Sequence, residues 1–282
     1  MISVRDYTGV AGSAQPNVVG TLKVLEGVYS PWLRSRRDLF VYLPPSYAEG
    51  YKRYPVIYMQ DGQNLFDSAA SFSGEWGVDE TLEALSHEGL EAIAVGIPNG
   101  GAERLSEYSP FADPAHGGGK GEAYLRFVVG TVKPLVDREF RTLPRRRHTG
   151  ILGSSMGGLI SLYAFFRHPE YFGFAGAMSP AFWFADKAIF SFVREAPRLR
   201  GKLYLDVGTD EYGPHQAGLR ARMQARGKSR RHVAEVRYMH DLLRQRGFRR
   251  EQLRYVEEEG AQHHELAWAR RLPGALRFLL TP

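Results

Sequence analysis

The chain has 282 residues, 43% apolar and 24% charged, with a net charge of +6 and no cysteine. This length and balance fit one globular domain over residues 1–282 built on a single core. The lack of cysteine excludes disulfides, thiolate zinc sites and a cysteine nucleophile.

Met1–Tyr7 has no basic stretch leading into an apolar run, so no secretory leader is expected and the cytoplasm is the expected compartment. No window approaches the roughly 18 continuous apolar residues that a membrane span needs, so no membrane partner is expected.

In chain order, short apolar runs rich in β-branched and aromatic residues predict strands at Thr21–Val28, Asp38–Leu43, Pro55–Met59 and Ala92–Ile97. Four more follow at Gly150–Leu152, Gly173–Met178, Lys202–Val207 and Leu253–Glu257. Several are apolar throughout, as strands buried on both faces of a parallel sheet must be. Helical spacing falls between them, at Trp76–His87, Gly121–Phe140, Met156–Phe166, Phe190–Glu195, Arg231–Gly247 and Glu265–Leu280. Pro273 is placed to kink or interrupt the last of these.

The link Tyr29–Arg37 is too short for a crossover helix, so the first two strands are expected to pair antiparallel at one edge. The expected architecture is an α/β-hydrolase fold: a mostly parallel, eight-stranded sheet flanked by helices. Pro110–Gly121, with three consecutive glycines, reads as a loop at the rim of a site.

Basic residues crowd one stretch, including Arg220, Arg222, Arg226, Lys228, Arg230, Arg231, Arg237, Arg244 and Arg254. Leu219, Met223, Val233, Val236, Met239, Leu242 and Leu243 interleave with them at helical spacing, which points to a helix with one buried face and one solvated basic face. No nucleic-acid partner is therefore expected, and steering of anionic substrates is the lesser alternative.

Gly153-Ser154-Ser155-Met156-Gly157 contains Gly-x-Ser-x-Gly between a predicted strand and a predicted helix. A strand that turns sharply into a helix needs small residues two positions either side of the serine. It leaves the serine strained, with its hydroxyl exposed. The Met156 N–H, at the start of the helix, is the natural oxyanion donor. A structural glycine turn would not require that junction.

A serine hydroxyl needs a base, and the base needs an orienting acid. Of nine histidines, His87, His116, His148 and His168 lie before the serine or on its helix, and His215, His232 and His240 lie near the basic segment. Only His263 and His264 follow the last predicted strand, and chain order does not choose between them. Asp210 and Glu211 follow the turn after Lys202–Val207, and either can serve as the acid; Asp206 lies within the strand. Glu257–Glu259, the two histidines and Glu265 cluster in sequence without a metal-ligand spacing, so neither metal nor cofactor is expected.

Taken together, the chain resembles the esterase D / enterochelin-esterase-like family, which includes feruloyl esterases and mycolyltransferases. The resemblance runs through Arg37–Tyr47, Tyr58–Asp67, Val95–Asn99, Arg104 with Glu107–Pro110, the Gly153–Gly158 turn, Asp206–Glu211 and Gly260–Trp268. It implies Ser155 as nucleophile, His263 as base, Glu211 as acid and the Gln63 N–H as second oxyanion donor. Arg104, Glu107 and Tyr108 are implied to line the pocket or order its loops. The family's usual Asn after the base is His264 here.

Phe182 and Trp183, after the sixth predicted strand, are candidates for a pocket wall or for plain core packing, as are Phe111 and Trp76. The expected function is hydrolysis of a small-molecule carboxylic ester through an acyl-enzyme on Ser155. Acyl transfer on the same residues, or binding by an inert homologue, are the alternatives.

Overall fold

A computed structural model describes residues 2–10, 16–213 and 219–281, with Leu219 described by its backbone alone; His215 lies outside the described residues. Two antiparallel strands, β2 (Thr21–Ser30) and β3 (Ser35–Leu43), turn on residues 31–34. The short strand β1 (Val4–Asp6) pairs outside β2 and gives the sheet a ninth strand that the sequence pattern does not show. All three of its residues are exposed, so it has no apolar alternation to read.

The parallel strands are β4 (Val56–Gln60), β5 (Ile93–Ile97), β8 (Thr149–Ser154), β9 (Phe174–Met178), β10 (Lys202–Gly208) and β11 (Leu253–Glu258). The sheet order is β1-β2-β3-β5-β4-β8-β9-β10-β11, and β3 pairs antiparallel to β5. Pro110–Gly121 is not structureless: β6 (Ala112–Asp113) and β7 (Gly117–Gly118) make a small hairpin within it.

Helix α1 (Val78–Ser86) and helix α8 (Glu265–Leu280) cover one face of the sheet. Ile57, Met59, Ala94, Leu152 and Tyr204 point there, against Leu82, Leu272 and Leu276. Their strand neighbours Val56, Tyr58, Val95, Ile151 and Leu205 point to the other face, as the period of two requires. That face is covered by α3 (Gly121–Phe127) and α4 (Lys133–Glu139), joined by a π segment over Val128–Val132, and by α5 (Met156–Arg167), α6 (Phe184–Glu195) and α7 (Leu219–Gln245). The one-turn helix α2 (Arg104–Glu107) follows β5.

Pro273 does not interrupt α8, which runs through it. Helix α7 begins twelve residues before the predicted start at Arg231: none of residues 220–228 is buried, so its first turns have no buried apolar face to read. Among the described residues no helix is long and apolar enough to cross a membrane.

Candidate active site

The carboxyl ends of the parallel strands carry every group of interest, as open α/β sheets generally arrange. Ser155 follows β8 with φ 54 and ψ −121, a backbone that L-residues rarely adopt. Hydrogen bonds fix it on both sides: its N–H donates to the Met178 carbonyl at 2.9 Å, and its carbonyl accepts from the Ala181 N–H at 2.9 Å. A Cβ at Gly153 would come within 2.6 Å of the Gln60 side chain and 2.8 Å of the Gly157 backbone. One at Gly157 would meet Gln60 at 2.9 Å. The two glycines are thus required by the close crossing of β8 and α5 over Gln60.

After β10, the Glu211 side chain is wholly buried, and its Oε2 lies 2.6 Å from His263 Nδ1. Its Oε1 accepts from the Gly208 N–H at 2.5 Å and from the Ser179 hydroxyl at 2.6 Å. The His263 N–H also donates to the Glu211 carbonyl at 3.0 Å. Burial alone raises the carboxyl, but the hydrogen bond and charge of His263, the charge of His232 and the Ser179 hydroxyl outweigh it and hold Glu211 down at about 2.

The adjacent candidates do something else. His264 is the N-cap of α8, its Nδ1 accepting from the Ala267 N–H at 3.3 Å. Asp210 stays partly exposed, and its carbonyl closes a turn to the Gly213 N–H.

After β4, Asp61 adopts φ 54 and ψ 47 and opens a single 3₁₀ turn over Gly62–Asn64 that contains Gln63. Arg104 clamps the Asp61 carboxylate from Nε at 2.7 Å and Nη2 at 2.8 Å, and Asn99 Nδ2 adds a bond at 2.6 Å. Tyr108 is fully buried; its hydroxyl accepts from the Asp61 N–H at 3.0 Å, and Arg104 lies over its ring. Glu107 is likewise buried, in a two-point pair with Arg37.

Ser155, His263, Gln63 and Arg104 line one cavity of about 930 Å³, together with Phe72, Trp76 and Trp268. The structure does not bring the remaining pocket candidates there. Tyr108 lies beneath Arg104, Phe182 is in the core, and Trp183 packs outside it on His116 at 5.4 Å. The bond from Ala181 to Ser155 ties the Ser179–Phe184 segment below the serine, which turns its aromatics away from the cavity. Phe111 packs on Tyr163 and Phe192.

Sequence reasoning missed Phe72 and Ser73, and it weighed Glu265 only as part of a metal cluster, not as a wall of the cavity. Asn64 Oδ1 accepts from the Phe72 N–H at 3.0 Å, and Ser73 donates to Glu265 at 2.5 Å, so the 67–77 loop becomes one wall. The only signal for that wall was Trp76, whose ring packs against Trp268 at 5.6 Å.

Among the described residues, two groups of side chains hold potential metal-ligand atoms within 4.8 Å of one another: Glu211, His232 and His263, and Glu75, Asp79 and Glu80. The first would have to give up the His263–Glu211 bond to hold an ion.

Comparison with known proteins gives the family and the fold. The model of the family described as "Putative esterase" matches residues 30–279. The chain is 27% identical to the uncharacterized protein YbbA of Bacillus subtilis, over 90% of this chain and 97% of that one. It is 28% identical to the siderophore enterobactin esterase of Emericella nidulans, over 66% and 67% of the two chains. The solved siderophore hydrolase EstA of Aspergillus nidulans superposes with a TM-score of 0.74 at 20% identity, covering 96% of this chain and 98% of that one.

With its antiparallel edge, its parallel sheet and a match over most of its length, the chain belongs to this esterase family and is a carboxylic ester hydrolase of the α/β-hydrolase fold.

Proposed function

We propose that the chain cleaves esters through an acyl-enzyme formed on Ser155. His263 acts as general base and then general acid, and Glu211 holds the imidazole in the tautomer that presents Nε2 to the serine. The Ser155 oxygen attacks the ester carbonyl as His263 takes its proton. The tetrahedral oxyanion is met by the N–H groups of Met156 and Gln63, and the alcohol leaves with the proton that His263 returns. Water then repeats the sequence on the acyl-enzyme.

Met156 opens α5 and Gln63 lies in the first turn of a 3₁₀ segment, positions whose amides have no acceptor within their own helix. Both are therefore available as oxyanion donors. The observation that carries the reading is the 2.6 Å bond from buried Glu211 to His263, an imidazole that shares its cavity with a strained serine.

The substrate class we propose is a bulky, aromatic-bearing ester of the siderophore type. A space of about 930 Å³ walled by Phe72, Trp76 and Trp268 has the size and the flat apolar surfaces for one. Relatives named siderophore triacetylfusarinine C esterase and siderophore enterobactin esterase support the siderophore type.

The test is Ser155→Ala. Turnover of p-nitrophenyl acetate should fall by at least ~10³-fold and labelling by a fluorophosphonate should vanish, with the melting temperature nearly unchanged. Turnover and labelling that survive the substitution remove Ser155 from this role.

A further inference from the structure

Behind Glu211 lies a buried chain of groups that the acyl-transfer steps do not use. The Ser179 hydroxyl oxygen lies 2.6 Å from Glu211 Oε1, 3.1 Å from Trp268 Nε1 and 2.8 Å from Arg271 Nη2. An indole N–H and a guanidinium can only donate. The single hydroxyl hydrogen of Ser179 therefore goes to Glu211, and the direction of the whole chain is fixed: Arg271 and Trp268 donate to Ser179, which donates to Glu211, which holds His263.

Arg271 projects from α8 with its side chain 4% exposed and forms ion pairs with fully buried Asp206 at 3.0 Å and with Glu258 at 2.9 Å. Asp206 in turn accepts from the Ser179 N–H at 3.0 Å, and Ser179 itself is held at φ 39. A non-glycine residue stays in that region only where its surroundings over-determine it. Trp268 also stands edge-on to the His263 ring at 5.1 Å.

We infer that Ser179 and Arg271 are positioning residues for the acid, a donor and a buried cation that keep Glu211 ionised and aimed, with Asp206 offsetting the cation's charge. This inference rests on the serine-hydrolase reading of the site. The other titratable groups around Glu211 and Asp206 are His232 from α7, its Nε2 3.0 Å from the Pro180 carbonyl and its ring 5.7 Å from that of His263, Tyr212, stacked on His263 at 6.5 Å, and buried Tyr204 beside Asp206 on β10.

The charges make opposite-sign demands. Ser179→Ala removes a donor from Glu211, which then holds the imidazolium more tightly. The acid limb of kcat/KM and the His263 titration followed by NMR should both move up by about half a pH unit or more. kcat should fall about 10-fold with KM within ~2-fold. Asp206→Asn removes the anion that offsets Arg271 above about pH 6 and should move both readouts down, and Arg271→Lys, which keeps the cation, should leave them near the wild type.

Shifts of the same sign from Ser179→Ala and Asp206→Asn, or an unmoved His263 titration with wild-type kcat in Ser179→Ala, overturn the inference. If Ser179→Ala does not fold, the downward shift in Asp206→Asn and its absence in Arg271→Lys decide. A wild-type protein that turns over no ester counts against the hydrolase reading alone, because the NMR titration tests the chain of donors without turnover.

Discussion

Glu211 is buried with its charge, and the three contacts of its carboxylate are specific enough to dictate what an amide would do in its place. The Gly208 N–H and the Ser179 hydroxyl both donate to Oε1, so that position must remain an acceptor. In Glu211→Gln the amide oxygen is therefore kept there, and the amide NH₂ is turned toward His263 Nδ1. The imidazole must then accept at Nδ1 and carry its proton on Nε2, the wrong tautomer for a base facing Ser155. kcat/KM on a p-nitrophenyl ester should fall by ~10³-fold or more near pH 7, while Asp210→Asn should stay within a few-fold. Equal effects would show that Glu211 is not the orienting acid.

The choice between these neighbours was not legible from residue types alone. Asp210 and Glu211 are both carboxylates past one turn, and His263 and His264 are adjacent in one loop. What separates them is where α8 starts: His264 is used up as its cap, and the residue before it is left to face Glu211. Ser155 was legible because its glycines answer a local steric need.

At the scale of elements, strands buried on both faces announced themselves by continuous apolar runs. Elements without a buried face did not: β1 is exposed throughout, and none of residues 220–228 in α7 is buried. Helix α6 begins at Phe184 rather than at the predicted Phe190, because Ala185, Asp186 and Lys187 turn left-handed inside it, and no helical pattern encodes that. The wall made by residues 67–77 was hidden for a related reason, since its order comes from side-chain bonds to Asn64 and Glu265 far along the chain.

Two glycines show how differently the same residue works in different elements. A Cβ at Gly62, in the turn after β4, would lie 2.5 Å from the Gly96 carbonyl carbon and 2.6 Å from the Ile97 nitrogen, both backbone atoms that cannot yield. A Cβ at Gly274, on the exposed side of α8, meets nothing within 4 Å. Gly274→Ala should therefore stabilise the protein by about 0.5–1 kcal/mol, through the helix preference of alanine. Gly62→Ala should push the Gln63 amide out of line and cut kcat at least 10-fold, along with stability. Thermal melts and kcat on purified variants check the pair, and equal behaviour would mean that the turn after β4 tolerates movement.

Across the whole molecule the buried ionisable groups set opposing slopes of stability against pH. His232 is pushed down to about 4, first by burial and also by the charge of His263, against the pull of Glu211. Between about pH 4 and 6.5 the unfolded chain therefore binds a proton there that the folded protein refuses. Stability from this group is complete above 6.5 and is lost as pH falls. Asp206 runs the other way. Burial raises it to about 6 despite Arg271, so the folded state keeps a proton that the unfolded chain releases, and stability declines as pH climbs from about 4 to 6.

The net slope of the wild type is thus a poor probe of either group, but a variant difference isolates one. His232→Gln keeps an N–H that can reach the Pro180 carbonyl and removes the titration. The stability of the wild type relative to His232→Gln, from guanidinium unfolding at several pH values, should rise by up to ~3 kcal/mol between pH 4 and 6.5. A difference that stays flat over that range would mean that His232 takes up its proton as readily in the folded protein as in the unfolded chain. The site would then have to house a second cation beside His263 when acidified.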